Sequence, residues 1–151
     1  MKLRISYKNL LNTLLSLNDS KEKLALSFAV GVFISINPFY GFHTMLAIVL
    51  SFLFKLNKAA TIIGTLLNNP WTMLPIYYID YKIGAFIIGC NKQFSIKHLT
   101  FKSILSQGKD IFAVLLIGSI IFGVIASFIM YHIIKYILSK YKRRIDDTAK
   151  R

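Results

Sequence analysis

Apolar and polar positions follow one another along this chain in long blocks, not in the short periods of a soluble domain. Residues 24–54, 59–90 and 111–138 are apolar, and the polar stretches around them are short. Within the third block, residues 111–130 are twenty consecutive uncharged positions. About 20 residues rising ~1.5 Å each match a hydrocarbon core of ~30 Å, so this block predicts one transmembrane helix. Tyr131, His132, Lys135, Tyr136, Lys140 and Tyr141 follow it, placing aromatic rings and long basic stems where headgroups begin.

The first two blocks are each just over thirty residues, so as single helices they would be ~45 Å or longer, too long for one straight crossing. Each carries a break signal: Asn37-Pro38-Phe39-Tyr40-Gly41 in the first, Asn68-Asn69-Pro70-Trp71-Thr72 followed by Pro75 in the second. Proline removes a backbone donor and disfavours helix at the residue before it, and Gly41 permits a turn. The breaks expected at Pro38, Gly41, Pro70 and Pro75 give two helix-break-helix units. The two Asn-Pro pairs are 32 residues apart, each followed by an aromatic residue, which reads as a weak internal repeat. Unwound backbone at membrane depth is tolerated only where protein or a water-filled cavity covers it, so paired breaks point to a shared polar interior. The plainer alternative is two kinked helices or surface loops.

Residues 1–23 place Leu3, Tyr7, Leu10, Leu11 and Leu14 at helical spacing among Lys2, Arg4 and Lys8, the pattern of an interfacial amphipathic helix. Asp19 and Glu22 form a candidate capping box opening the first block. No cleavage-site pattern follows a suitable apolar region, so a removed signal peptide is not expected. The expected organisation is a basic amphipathic helix over 1–23, the two broken units over 24–90, a basic connecting segment over 91–110, a transmembrane helix over 111–138 and a basic tail over 139–151. The fold class is all-α and integral to a membrane, with two broken or re-entrant units and one long transmembrane helix.

Composition agrees: 55% of the 151 residues are hydrophobic and only 17% charged, against roughly 25% in a soluble domain. Nineteen Lys and Arg face six Asp and Glu. Five basic residues lie in 1–23, two at Lys55 and Lys58, one at Lys82, four in 91–110 and seven from Lys135 onward. They flank the apolar blocks instead of lining one groove, which fits the positive-inside bias and anionic lipid headgroups better than nucleic acid. The arrangement with fewest violations makes block one a re-entrant hairpin returning to Lys55 and Lys58, block two a broken crossing and block three a full crossing. The groups at 1–23, at Lys55 and Lys58, and from Lys135 onward, fourteen of the nineteen, are then cytoplasmic.

The candidate site gathers Asn37, His43 and Thr44 near the first break with Asn68, Asn69 and Thr72 near the second, where open carbonyls and half-helix ends could hold a polar group. The competing reading is that these side chains only cap broken helix ends. His43 is the one histidine in the interior of an apolar block, His132 lying at the interfacial end of the third, and is suited to a proton relay or to an ordinary structural hydrogen bond. Asp80 is the only acid in any apolar block, a functional candidate by its cost or an interfacial anchor beside Lys82. Ser27, Gly31 and Ser35, and again Ser119, Gly123 and Ser127, recur every four residues and read as close-packing faces, within the chain or in a homo-oligomer. The single Cys90 excludes an intramolecular disulfide framework, and no metal or cofactor is expected. Paired carboxylates, H-E-x-x-H, G-x-S-x-G and phosphate-cradling loops are absent from the sequence, so it does not read as an enzyme.

Residues 24–89 resemble the bacterial membrane-protein family catalogued as domain of unknown function 2062. The residues that carry this are Ala25 to Gly31, Pro38, Gly41-Phe42-His43-Thr44, Leu56-Asn57, Gly64-Thr65, and Asn69-Pro70-Trp71-Thr72-Met73 with Pro75, Tyr77-Tyr78 and Gly84. The resemblance implies a multi-pass protein of the bacterial inner (cytoplasmic) membrane and no established activity. A fainter fold-level likeness is to the re-entrant-helix lipid transporters of the DedA and VTT group, through the Pro-Gly break, Gly64, Tyr77 or Tyr78, and Gly84. The leading expectation is a small transporter or lipid-translocating protein. The alternative is a non-catalytic membrane organiser or assembly subunit that binds anionic lipid or a protein partner.

Overall fold

The structure, a computed structural model, describes residues 13–14, 16–17, 19–39, 41–67, 70–89 and 101–149. These form five α-helices: α1 (Lys21–Ile36), α2 (His43–Leu53), α3 (Lys58–Thr65), α4 (Pro70–Ile88) and α5 (Phe101–Ala149). The chain is all-helical among the described residues, as the block pattern leads one to expect.

Each helix end has a local cause. Ser20, extended at ψ 150°, caps α1 by accepting from the Lys23 N–H at 3.2 Å. The N-cap is therefore Ser20, one residue after the expected Asp19, with Lys23 where a capping box would need Glu or Gln, and Asp19 is used elsewhere. At its other end α1 stops at Asn37, whose side-chain amide donates back to the Phe33 carbonyl at 2.8 Å before Pro38 ends the helix. Gly41 turns the chain at φ 90°, and α2 begins two residues later. It ends with Lys55 at φ 51°, with the Leu56 N–H reaching the Ser51 carbonyl at 2.9 Å and the Lys55 N–H the Phe52 carbonyl at 3.4 Å, a Schellman motif with lysine where glycine is usual. Asn57 then caps α3, its side-chain oxygen accepting from the Ala60 N–H at 3.0 Å. Pro70 opens α4 at the first helical position, where its missing N–H costs nothing.

Pro75 was expected to break the second unit, and it does not: it lies inside α4, which continues to Ile88. One ladder bond is lost there, and the thirteen residues that follow are held by packing on α5, which outweighs the local defect. The second break thus falls between Thr65 and Pro70 alone. Asn68, Asn69 and most of the amphipathic segment over 1–23 lie outside the described residues. Leu14 is described; it is 1% exposed and packs with Leu24, Ile134 and Leu138.

The helices run along a common spine. At 49 residues, α5 is about 73 Å long, and its section Asp110–Tyr141 is long and apolar enough to cross a membrane, with most of it left uncovered by the rest of the chain. Helix α1 is antiparallel to it: Glu22 meets Lys135 at 3.6 Å, Phe33 and Ile36 lie against Gly123, and Asn37 meets Ser119. Helix α4 is also antiparallel, with Gly84 at Val114 and Asp80 at Gly118. Helix α3 runs parallel to α1, pairing Asn57 with Ser27 and then Thr61 and Gly64 with Gly31. Helix α2 joins the break after Asn37 to Asn57 and so runs back along α1.

Two crossings bring backbones into direct contact. A Cβ on Gly31 would strike the Thr61 carbonyl and stand 2.9 Å from the Gly64 Cα, and one on Gly64 would strike the Phe28 carbonyl. In the same way a Cβ on Gly84 would strike the Val114 carbonyl, and one on Gly118 the Asp80 carbonyl. Only glycine admits such an approach. Gly123, read in sequence as part of a stripe for packing within the chain or in an oligomer, is used inside the chain: a Cβ added there would stand 3.0 Å from the Phe33 ring.

Candidate functional site

The tightest contact between α4 and α5 and the end of α1 meet at one turn of the spine. Gly118 faces Asp80, and the next residue, Ser119, faces Asn37. Ser119 is fully buried, and its hydroxyl lies 3.2 Å from the Asn37 side-chain oxygen and 2.9 Å from the Leu116 carbonyl, so one proton serves two acceptors. Asn37, itself buried, uses its amide on Phe33 and its side-chain oxygen on Ser119. Its backbone carbonyl, one of those that the end of α1 leaves without a helical partner, lies 3.2 Å from Nε2 of His43. A carbonyl only accepts, so Nε2 carries the hydrogen in this contact. His43 thereby ties the start of α2 to the end of α1 across the break.

Asp80 is the outlier of the molecule. It is 0% exposed, and neither carboxylate oxygen has a hydrogen-bond partner among the described residues. Lys82 is exposed, its ammonium 5.6 Å from the Tyr78 ring centroid. Buried carboxylates are ordinarily paired or hydrogen-bonded, because desolvation of the charge is costly.

The remaining candidates are dispersed. Thr72 donates to the Leu67 carbonyl at 2.9 Å, closing the second break from its α4 side. It lies eight residues from Asp80, about 12 Å along α4, on the side away from the start of α5. Thr44 is exposed on the first turn of α2. The first break therefore converges with the middle of α4, not with the Thr72 side of the second break. His43 and Thr72 both serve as links across broken helix ends, as the plainer reading of the sequence had it.

A second polar cluster lies at the opposite end of α1. The Asn57 amide donates to Asp19 at 2.6 Å, Lys23 donates to the other Asp19 oxygen at 3.0 Å, and the Asn57 N–H donates to the Ser27 hydroxyl at 2.8 Å. The Asn57 amide, and after it the Lys23 ammonium, hold the Asp19 carboxyl below its ordinary range. This clamp fixes the α2–α3 turn to the start of α1. Sequence reasoning missed it because its members are 38 residues apart, and it likewise missed Ser119 as anything but a small packing residue. The available signal was Leu56-Asn57 ahead of a helix start, an N-cap pattern.

Residues 4–146 match the family described as an uncharacterized protein conserved in bacteria (DUF2062). The chain belongs to this family. The match extends well beyond 24–89, taking in nearly all of α5. Within this DUF2062 chain, several residues that carry the resemblance fall where helices touch: Gly31 and Gly64 at one crossing, Gly84 at the other, Asn57 in the clamp. No curated protein and no solved structure gives a significant match; the likeness to the DedA and VTT group rests on its few residues alone.

Proposed function

We propose that this protein is a multi-pass protein of the bacterial inner membrane that passes a polar solute or a lipid headgroup across the bilayer by way of the polar level formed by Asn37, His43, Ser119 and Asp80. The single observation that carries this reading is the position of that level. Gly118 and Ser119 are the eighth and ninth of the twenty uncharged residues 111–130, so buried polar groups sit inside the apolar span, about 12 Å along the helix from Ile111.

The outer surface supports a bilayer setting. Trp71 is 90% exposed and Phe86 89%, and Leu53, Phe54, Leu74 and Phe128 are also exposed; an apolar surface of this extent is unstable in water and ordinary in lipid. In that setting α1 and α2 form a re-entrant hairpin, α3 and α4 a crossing broken between Thr65 and Pro70, and α5 the full crossing. Lys23, Lys55, Lys58, Lys135 and Lys140 gather at the end where α1 begins and α5 leaves its apolar span, the end the positive-inside bias assigns to the cytoplasm and to anionic lipid.

The test is translocation of a fluorescent phospholipid by the purified protein in liposomes, read by dithionite quenching, with Asn37→Leu as the variant and circular dichroism as the control for folding. Loss of the protected signal that depends on Asn37 supports a headgroup path. A protected fraction equal to that of empty liposomes, with folded protein present, removes lipid from the reading.

A second reading, a non-catalytic membrane organiser, draws on a different observation. An apolar groove of about 420 Å³ lies between α1 and α5, lined by Leu26, Val30, Phe33, Val124, Phe128 and Tyr131. A neighbouring helix or an acyl chain fits such a surface. On this reading substitution of Val30 or Val124 alters assembly and leaves every flux assay silent.

A further inference from the structure

We propose that Asp80 is a proton-binding site, occupied by a proton in the conformation described here, and that its ionisation requires the α4–α5 crossing to open. This deepens the reading above by naming the coupling ion, and its test does not depend on any transported solute.

Three kinds of partner can make a buried carboxyl tolerable: a counter-charge, a metal cation or a proton. For the first, no cationic group among the described residues faces Asp80. On α4 the ionisable neighbours are the phenols Tyr77, Tyr78 and Tyr81 and the exposed Lys82, which stands over the Tyr78 ring. On α5, residues 111–130 contain no ionisable group; Lys109 and Asp110 are nine and eight residues from Gly118, roughly 12 Å or more along the helix. On α2, His43 is engaged with the Asn37 carbonyl.

A metal cation needs several oxygen or nitrogen ligands at once. Among the described residues no group of three His, Cys, Asp or Glu side chains is gathered anywhere, and the two Asp80 oxygens have no polar partner within hydrogen-bond reach. A proton needs only the carboxylate. The step is the transfer of one proton from hydronium to a carboxylate oxygen, leaving water and a neutral carboxylic acid.

The glycine pair makes this a coupling device. The Asp80 carbonyl occupies the space that a Cβ on Gly118 would fill, and the Gly84 N–H side of α4 stands 2.9 Å from the same point. Asp80 is fully buried on a helix whose main packing partner among the described elements is α5, so water or a cation reaches the ionised carboxylate when α4 moves from α5. Proton binding therefore favours the closed crossing, and by reciprocity closure favours the proton. An alternation of these two states at the same turn that holds Ser119 and Asn37 is what a proton-driven cycle requires.

The experiment is infrared absorption of the full chain in maltoside micelles, which carry no ester carbonyl, as pH is raised from about 5 to about 9. A water-exposed aspartate has a pKa near ~3.9 and is ionised throughout. The expected result is a protonated-carboxyl carbonyl band at neutral pH that disappears toward alkaline pH and is absent in Asp80→Asn. Absence of that band in the unaltered protein at neutral pH overturns the proposal, and this needs no variant to fold. Should Asp80→Asn fail to fold, Asp80→Glu assigns the band by its shift; an unshifted band assigns the proton to another group and also overturns the proposal. Failure of lipid translocation with the band present rejects the translocated lipid and leaves the proton site standing.

Discussion

Gly118→Ala isolates the energetics of the α4–α5 crossing. Its added Cβ would strike the Asp80 carbonyl oxygen and stand 2.6 Å from that carbonyl's carbon and 2.9 Å from the Gly84 nitrogen. Ordinary carbon contacts begin at roughly 3.5 Å, so α4 must withdraw by more than about 1 Å, and the obstructing atoms are backbone with no rotamer to yield. Overpacking of this kind costs ~1–3 kcal/mol or more. Alanine regains ~1 kcal/mol of helix propensity over glycine, which leaves a net loss of up to about 2 kcal/mol. The same helix supplies the control: a Cβ on Gly108 meets nothing within 4 Å, so Gly108→Ala should collect the propensity gain alone. The two variants should differ by the overpacking cost alone, ~1–3 kcal/mol in unfolding free energy, read by denaturant unfolding in mixed micelles. A Gly118→Ala protein as stable as Gly108→Ala would refute the reasoning, since it would mean that α4 and α5 do not meet backbone to backbone.

Three further outcomes are expected. Lys55→Gly relieves a left-handed backbone at φ 51° and should raise stability by about 1 kcal/mol; an unchanged melting temperature would count against the Schellman turn. Ser119→Ala removes a buried hydroxyl shared between Asn37 and Leu116 and should cost ~1 kcal/mol, with a neutral result showing that Asn37 does not dock on α5. The folded pKa of Asp19 is depressed by Asn57 and Lys23, so the stability it contributes is present above its unfolded value of ~3.9 and is lost as pH falls through the lower folded value. Hydrogen exchange at the first turn of α3 should accelerate over that acid range in the unaltered protein and be insensitive to it in Asp19→Asn; equal behaviour of the two would dismiss the clamp.

Much of this architecture is legible in the order of residues because its causes are local. The twenty uncharged positions before Tyr131 mark one helix long enough to span a bilayer, and Asn37-Pro38 with Gly41 stops one helix and turns the chain, since a missing donor and a left-handed residue act on their own neighbours. Pro75 shows the limit of such reasoning. Its local penalty is real, but α4 is held beyond it by Gly84 and Asp80 against α5, a gain that no window of sequence contains.

The site divides in the same way. Asn37, His43 and Asp80 are conspicuous as polar groups in apolar blocks, a property of sequence alone. Which of them meet is decided by helix directions and crossing levels: α5 brings residue 119 to residue 37 and residue 118 to residue 80, whereas Thr72, attractive by its place beside a break, is left about a dozen ångströms along α4. Hydrophobic pattern and backbone chemistry act over a few residues and so are written in the chain. The choice of partner across a crossing depends on which small residues can face each other at contact distance, and only the packed structure determines that.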